Sequence, residues 1–377
     1  MTLNLPAGVF PPVPAPTPWV GDVLDAATWV VRPDASSASP TVAQQCGLER
    51  SGGVVVLMVD GLGTVPLQRR LGYAPTLRNI GSDPVLAQTC CPSTTAAALT
   101  SFATGALPAQ TSMVGYAVRR GSGVMTLLNF APDVDVETWQ PVPTRFETLA
   151  AEGCEVALIT RPRFAGSGLT AAAFRGARFV GRESLEQRFE ASLKMFADGG
   201  PRFHVVYWSD IDHVGHHNGP SSPEWAAALE DFDRELGKYL SRLPAGVQVV
   251  LTADHGMIDV EERLDLATTP DLADGVELIA GEGRAVHLHA QPGQAQRVVA
   301  AWRDILGDRA WVVSREELPS LIGSGPGVDR VGDAMVLMAD RSVIVDSRTQ
   351  SASAIAQKGV HGSLTFDEMS IPLWRLA

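Results

Sequence analysis

Four short runs in this chain, Val54–Val59, Glu155–Thr160, His204–Trp208 and Val247–Thr252, are apolar almost from end to end and rich in Val. Because they do not alternate apolar with polar residues, each reads as a strand buried on both faces, as in a parallel sheet covered by helices. Helices are expected between and after them, at Thr94–Thr104, Thr144–Glu152, Glu183–Ala197 and Pro223–Ser241. This alternation predicts an α/β fold, a three-layer sandwich with a mostly parallel central sheet. At about 150 residues per domain, a length of 377 residues holds one large domain with an appendage.

The texture changes at both ends of this core. Residues 1–50 are rich in Pro, Ala and Ser, with one short helix expected near Asp22–Trp29, and read as an N-terminal arm packed on the core. Residues 51–263 and 354–377 read as the core itself. Between them, residues 264–353 read as an inserted α+β lid subdomain. Its expected elements are a strand at Arg284–Ala290, a helix at Gly293–Leu306, a strand at Ala310–Val313, and a hairpin-like pair of Ala334–Met338 with Ser342–Val345.

The hydrophobic share of 45% against 19% charged residues is ordinary globular usage and excludes a disordered, collagenous or coiled-coil chain. Thirty Lys and Arg against 42 Asp and Glu give a net charge of −12, with no basic concentration to track a polynucleotide backbone. No polymeric nucleic acid is expected as partner. Four cysteines, Cys46, Cys90, Cys91 and Cys154, form neither a disulfide framework nor a metal knuckle, which suits a reducing compartment. The first twenty residues carry six prolines and no basic start, and no run reaches eighteen apolar residues, so neither a signal peptide nor a membrane span is expected. The expectation is a cytoplasmic protein.

In open parallel sheets, ligands gather beyond the carboxyl ends of the strands. Here Val54–Val59 leads into Asp60-Gly61, and His204–Trp208 leads into Asp210, Asp212, His213, His216 and His217. Val247–Thr252 leads into Asp254-His255-Gly256, and a late His361-Gly362 could join them. Each Asp alone reads equally well as a helix cap or turn residue. Together, carboxylates and imidazoles at one sheet edge are the donor set of zinc, or of manganese where carboxylates dominate, and their number suits two ions. Ser93, Thr94 and Thr95 open a helix rich in small residues that closes on Thr104-Gly105. A hydroxyl at a helix N-terminus sits in positive potential, where a nucleophile or a bound phosphate is favoured, although the same residues serve as N-caps.

Taken in order, these motifs resemble the alkaline phosphatase superfamily, and most closely its nucleotide pyrophosphatase/phosphodiesterase branch. The resemblance covers about Val54 to Pro372. It rests on Asp60-Gly61, a Thr opening the helix that ends in Thr104-Gly105, Asp212 to His216 followed by Gly219-Pro220, Asp254-His255-Gly256-Met257, and His361-Gly362. The resemblance implies an alkaline-phosphatase-like fold and two divalent ions, zinc first and manganese second. One ion would be held by Asp60, Asp254, His255 and the nucleophile oxygen, the other by Asp212, His216 and His361. The family places its nucleophile nine residues before the Thr of the closing Thr-Gly, which gives Thr95, with Thr94 as second choice. The implied reaction is hydrolysis of a phosphoric ester through a phospho-threonine intermediate, on a small phosphate ester or nucleotide.

Two departures stand out. The family's phosphate-binding Asn, twenty-one residues after the nucleophile, is replaced by Tyr116, whose phenol can still donate a hydrogen bond to substrate. Cys90-Cys91-Pro92-Ser93 begins the sulfatase signature Cys-x-Pro-Ser-Arg, but Thr94 stands in place of its Arg. No Arg lies in the motifs around Thr95, which favours diesters or nucleotide pyrophosphates over the more highly charged monoesters. The alternatives are a phosphomonoesterase or sulfatase of the same superfamily, or an inactive metal-stabilised scaffold. His213, His217, Arg284, His287 and His289 receive no site role.

Overall fold

The structure, a computed structural model, describes residues 17–377. Its centre is a seven-stranded sheet in the order Val85–Gln88, Ser370–Arg375, Val247–Thr252, Gly53–Val59, Phe203–Trp208, Val156–Thr160, Arg178–Gly181. The last five of these pair parallel, while Ser370–Arg375 runs antiparallel to both of its neighbours. This is the expected α/β fold with a large, mostly parallel sheet. The four apolar runs all lie in it, and their residues are buried throughout apart from half-buried Trp208 and exposed Glu155, which stands just before its strand.

Three strands of this sheet carry no comparable apolar signal. Val85–Gln88 and Arg178–Gly181 are short edge strands with half-exposed residues. Ser370–Arg375 contains Pro372, which as a rule argues against a central strand. The ladder to Val247–Thr252 begins only at Leu373 opposite Thr252, so Pro372 lies just outside it.

Among residues 17–50, the helix Val23–Val31 packs against Gly53–Val59 and buries Val23, Leu24, Ala26, Ala27 and Val30 in the main apolar core. The part of the N-terminal segment before residue 17 lies outside the described residues.

A second sheet of four antiparallel strands, in the order Val276–Glu282, Ala285–Ala290, Ala334–Met338, Ala310–Ser314, occupies the stretch between the last parallel strand and His361. The helix Ala295–Leu306 covers it through Val298, Val299, Trp302 and Leu306. One expectation is corrected here. Ala334–Met338 does not form a hairpin with Ser342–Val345, which instead pairs parallel with Glu262–Asp265. The cause is Arg284, whose buried guanidinium donates to the carbonyls of Met338, Asp340 and Ser342 and carries the chain away from hairpin geometry.

Candidate functional site

Three parallel strands end at one place. Asp60 follows Gly53–Val59, its N–H donating to Trp208 of the neighbouring strand at 2.8 Å. Gly61 then turns with φ +71°, and a Cβ there would come within 3.0 Å of Asp212. Glycine therefore lets the Asp60 turn lie directly against the helix Asp210–Asn218. On that helix Asp212 and His216 stand four residues apart on one face, with His216 Nε2 3.4 Å from Asp212 Oδ2. Asp254 follows Val247–Thr252 and accepts from the Gly61 and His255 amides at 3.1 and 3.0 Å.

The late motif reaches the same place through two short pairings. Gly359–Val360 pairs antiparallel with Ile258–Asp259, and Gly362 bridges to Ser93. His361 is thereby set between the loop of Ser93 and the segment after His255, with the His361 and His255 rings stacked at 3.7 Å. Two groups of ligand atoms result, Asp60 with Asp212 and His255, and Asp212 with His216 and His361, all within 4.8 Å in each group. Asp212 belongs to both. Asp254 Oδ2 adjoins the first group, 3.4 Å from His255 Nε2.

The hydrogen bonds around the imidazoles point them inward. Nδ1 of His216, His255 and His361 lies 2.8, 3.0 and 2.9 Å from the carbonyls of Gly359, Gly256 and Ser93. A carbonyl only accepts, so each Nδ1 carries the proton, and in the neutral ring Nε2 keeps its lone pair towards the carboxylates. Asp60 Oδ1, Asp212 Oδ1 and Asp254 Oδ2 are buried and without a hydrogen-bond partner. Burial first, then the neighbouring carboxylates Asp254 and Asp212, pushes Asp60 well above the ordinary carboxylate range. Burial likewise raises Asp254, and burial followed by His255 and His216 drives His361 well down. Orphaned carboxylate oxygens facing three imidazole lone pairs form a donor set that fits divalent cations.

The helix expected at the hydroxyl cluster spans Thr95–Thr104, with Thr94 as N-cap and Gly105 in the left-handed region at φ +68° as its end. Ala96 to Thr104 are all buried, because small side chains let this helix press into the interior. Thr95 Oγ1 lies 3.1 Å from His255 Nε2. Thr94 turns away, donating to Glu282 Oε2 at 3.1 Å. Tyr116 is 42% exposed, and among the described residues its hydroxyl makes no hydrogen bond.

The sequence of this centre matches the profile described as type I phosphodiesterase / nucleotide pyrophosphatase over residues 54–364. The chain belongs to that family. Within it, human ectonucleotide pyrophosphatase/phosphodiesterase family member 5 is 34% identical over 88 residues, a match covering 22% of this chain and 18% of that protein. A phosphopentomutase of Psychromonas ingrahamii is 31% identical over 127 residues, 32% of this chain and 28% of that one. Both sequence matches thus span well under two thirds of the relatives' length. In solved structures, murine ectonucleotide pyrophosphatase/phosphodiesterase 5 superposes with TM-score 0.68 at 18% identity, covering 85% of this chain and 87% of the other. An inactive Thr-to-Ala form of that protein in complex with AMP gives 0.67, with the same coverage. Phosphonoacetate hydrolase of Sinorhizobium meliloti gives 0.68 at 20% identity, over 85% and 89%. At these identities the superpositions establish the shared α/β fold. This member of the type I phosphodiesterase family is an enzyme-family chain in which no described helix is long and apolar enough to cross a membrane.

Several groups around the family's motifs were not legible beforehand. Tyr207 donates its hydroxyl to Asp60 Oδ2. A tyrosine inside an apolar, doubly buried strand needs a partner for its hydroxyl, and that signal could have pointed to Asp60. Glu282 comes from the second sheet, where nothing local marks it. His287 Nε2 is 3.1 Å from the Val114 carbonyl and Arg284 pairs with Glu368, so neither contacts the Asp–His cluster. The His213 and His217 rings pack 4.5 Å apart with their planes tilted by 51°, outside both ligand groups.

Proposed function

We propose that this chain is a metal-dependent hydrolase of phosphoric esters, with phosphodiesters or nucleotide pyrophosphates as its substrates and Thr95 as its nucleophile. The observation that carries this reading is the Thr95 hydroxyl, 3.1 Å from His255 Nε2, at the rim of the cluster of orphaned carboxylate oxygens. Zinc, or manganese second, would be held by Asp60, Asp254 and His255 at one position and by Asp212, His216 and His361 at the other. Bound there, the two ions supply positive charge to the attacking and leaving oxygens of an in-line displacement.

The residues of the chain do the rest. Thr95 sits in the first position of its helix, where backbone amides and the helix dipole favour a phosphoryl group. His255, its tautomer fixed by the Gly256 carbonyl, presents its Nε2 lone pair beside the Thr95 hydroxyl. Attack forms the Thr95 Oγ1–phosphorus bond and breaks the bond to the leaving alcohol, which takes up a proton. Water then cleaves the phospho-threonine, freeing Thr95 and a phosphomonoester. Tyr116 at the protein surface is proposed as a donor to the substrate phosphate, and residues 264–353 as a lid over the substrate.

The sulfatase alternative is weakened by the position of Cys90, the signature's cysteine, which is 1% exposed and packs in an apolar cluster with Ala97 and Ala98. The deciding assay compares a chromogenic phosphodiester with the matching monoester and sulfate ester, before and after a chelator. Fastest turnover of the diester, lost on chelation, is expected. Diester hydrolysis that survives complete metal removal would overturn the reading.

A further inference from the structure

A cavity of about 250 Å³ lies beside the loops that follow His216 and His255, away from the donor atoms themselves. Arg69 and Arg70, from the last turn of the helix Thr64–Arg70, line it together with Arg341 from the loop between the strands Ala334–Met338 and Ser342–Val345. Pro66, Pro220 and Met257 give it apolar walls, and Asp259 and Asp367 are its carboxylates. Three fixed positive charges thus face two negative ones, in a chain whose net charge is −12.

The guanidinium groups are poorly spent. Arg69 meets Asp367 Oδ2 at 3.6 Å, and Arg341 meets that same oxygen at 3.3 Å. Arg341 comes no nearer than 3.9 Å to Asp259 and 3.6 Å to Glu261. Asp259 is engaged by the Ser221 amide and hydroxyl at 3.3 and 2.5 Å. Arg70 donates to the Ser221 carbonyl. Each guanidinium offers five N–H donors in a planar fork, yet among the described residues the three make two hydrogen bonds between them. No carboxylate here closes a bidentate pair, the arrangement that normally saturates an arginine.

We propose that this cavity is a second, non-catalytic anion site that takes a phosphate-class oxyanion, either free or as the phosphoryl group of a small molecule. Four tetrahedral oxygens match donors converging from two separate segments, and planar guanidinium forks suit phosphate better than they suit one shared carboxylate oxygen. An anion there ties the helix that follows Asp60 to the loops that follow His216 and His255. The proposal does not depend on the catalytic reading.

Equilibrium dialysis with labelled inorganic phosphate against the full chain in excess chelator tests it, because chelation removes any phosphate held by metal. Chelator-resistant binding is expected, weakened about tenfold by Arg341→Gln and by Arg69→Gln, as for loss of one charged hydrogen bond. Asp367→Asn removes the competing carboxylate and is expected to tighten binding, a gain that a misfolded variant cannot mimic. Displacement of the label by AMP assigns the site to a nucleotide phosphoryl group, and retention of the label assigns it to the free ion. No chelator-resistant binding in the wild type, or one affinity across all three variants, would overturn the proposal.

Discussion

Thr95 and His255 meet through a 3.1 Å contact between threonine Oγ1 and imidazole Nε2, while the adjacent Thr94 hydroxyl is committed to Glu282 at the same distance. One residue along the helix start therefore separates a hydroxyl facing the Asp–His cluster from one facing the second sheet. Thr95→Ala is expected to lower phosphodiester turnover by at least about a thousandfold, as for loss of a covalent nucleophile. Thr94→Ala should cost no more than about tenfold, as for loss of one neutral hydrogen bond. Equal activity of Thr95→Ala and wild type in steady-state assays would remove Thr95 from the reaction.

Asp60, Asp212 and Asp254 each leave one buried oxygen without a partner, and their mutual repulsion must be relieved by cations or by protons. Zinc at a hundred times its dissociation constant is expected to stabilise the fold by about 3 kcal/mol, seen as a rise of a few degrees in melting temperature over chelated protein. In Asp254→Ala the response should shrink, because one donor is gone, while the chelated protein should melt higher than chelated wild type. A chelator with no effect on wild-type melting would show that these oxygens are relieved some other way.

Much of this centre was readable because its parts lie close to strand ends. A run such as Val54–Val59 announces its own double burial, and the chain must leave the sheet at Asp60 whatever the tertiary detail. The pairing of His361 with the loop of Ser93 is different in kind. It depends on the contacts Gly359–Val360 to Ile258–Asp259 and Gly362 to Ser93, which join residues some hundred and more than two hundred and sixty positions apart. Only the motif resemblance supplied that link. Glu282 and Arg284 were opaque for the same reason, since the roles of both come from partners far along the chain, Thr94 and Glu368. Ser342–Val345 is the strand the sequence suggests, but adjacency in sequence pointed to the wrong partner for it, because the Arg284 side chain captures the intervening carbonyls.

Burial pushes the Glu282 carboxyl up to about 8 from an ordinary value of 4.5, against the opposing hydrogen bond from Thr94. A raised value means the folded state holds a proton that the unfolded chain releases. The neutral form's stabilisation is complete below 4.5 and is lost as the pH climbs through about 8. Glu282→Gln cannot ionise, so in chelated protein its melting temperature relative to wild type should rise steadily across that window and level off above it. Urea denaturation at matched pH values checks the trend, and a difference independent of pH would mean that Glu282 is already ionised in the fold.

Arg284 and Glu368 form a fully buried ion pair, with Nε and Nη2 donating to Oε1 and Oε2 at 3.0 and 2.7 Å. The same arginine binds three carbonyls of the 338–342 segment, and the same glutamate accepts the Ser363 amide at 3.0 Å and the Thr365 hydroxyl. The pair thus ties the second sheet to the segment just after His361. Removing one partner strands a charge without solvent, so Arg284→Met is expected to cost about 3–5 kcal/mol in denaturant unfolding. Arg284→Met combined with Glu368→Leu should recover part of that loss, because no charge is then left buried alone. The carbonyls of Asp340 and Ser342 lose their arginine donor in both variants, so recovery should be incomplete. A double variant no more stable than Arg284→Met would show that the carbonyl contacts, and not the ion pair, hold the 338–342 segment in place.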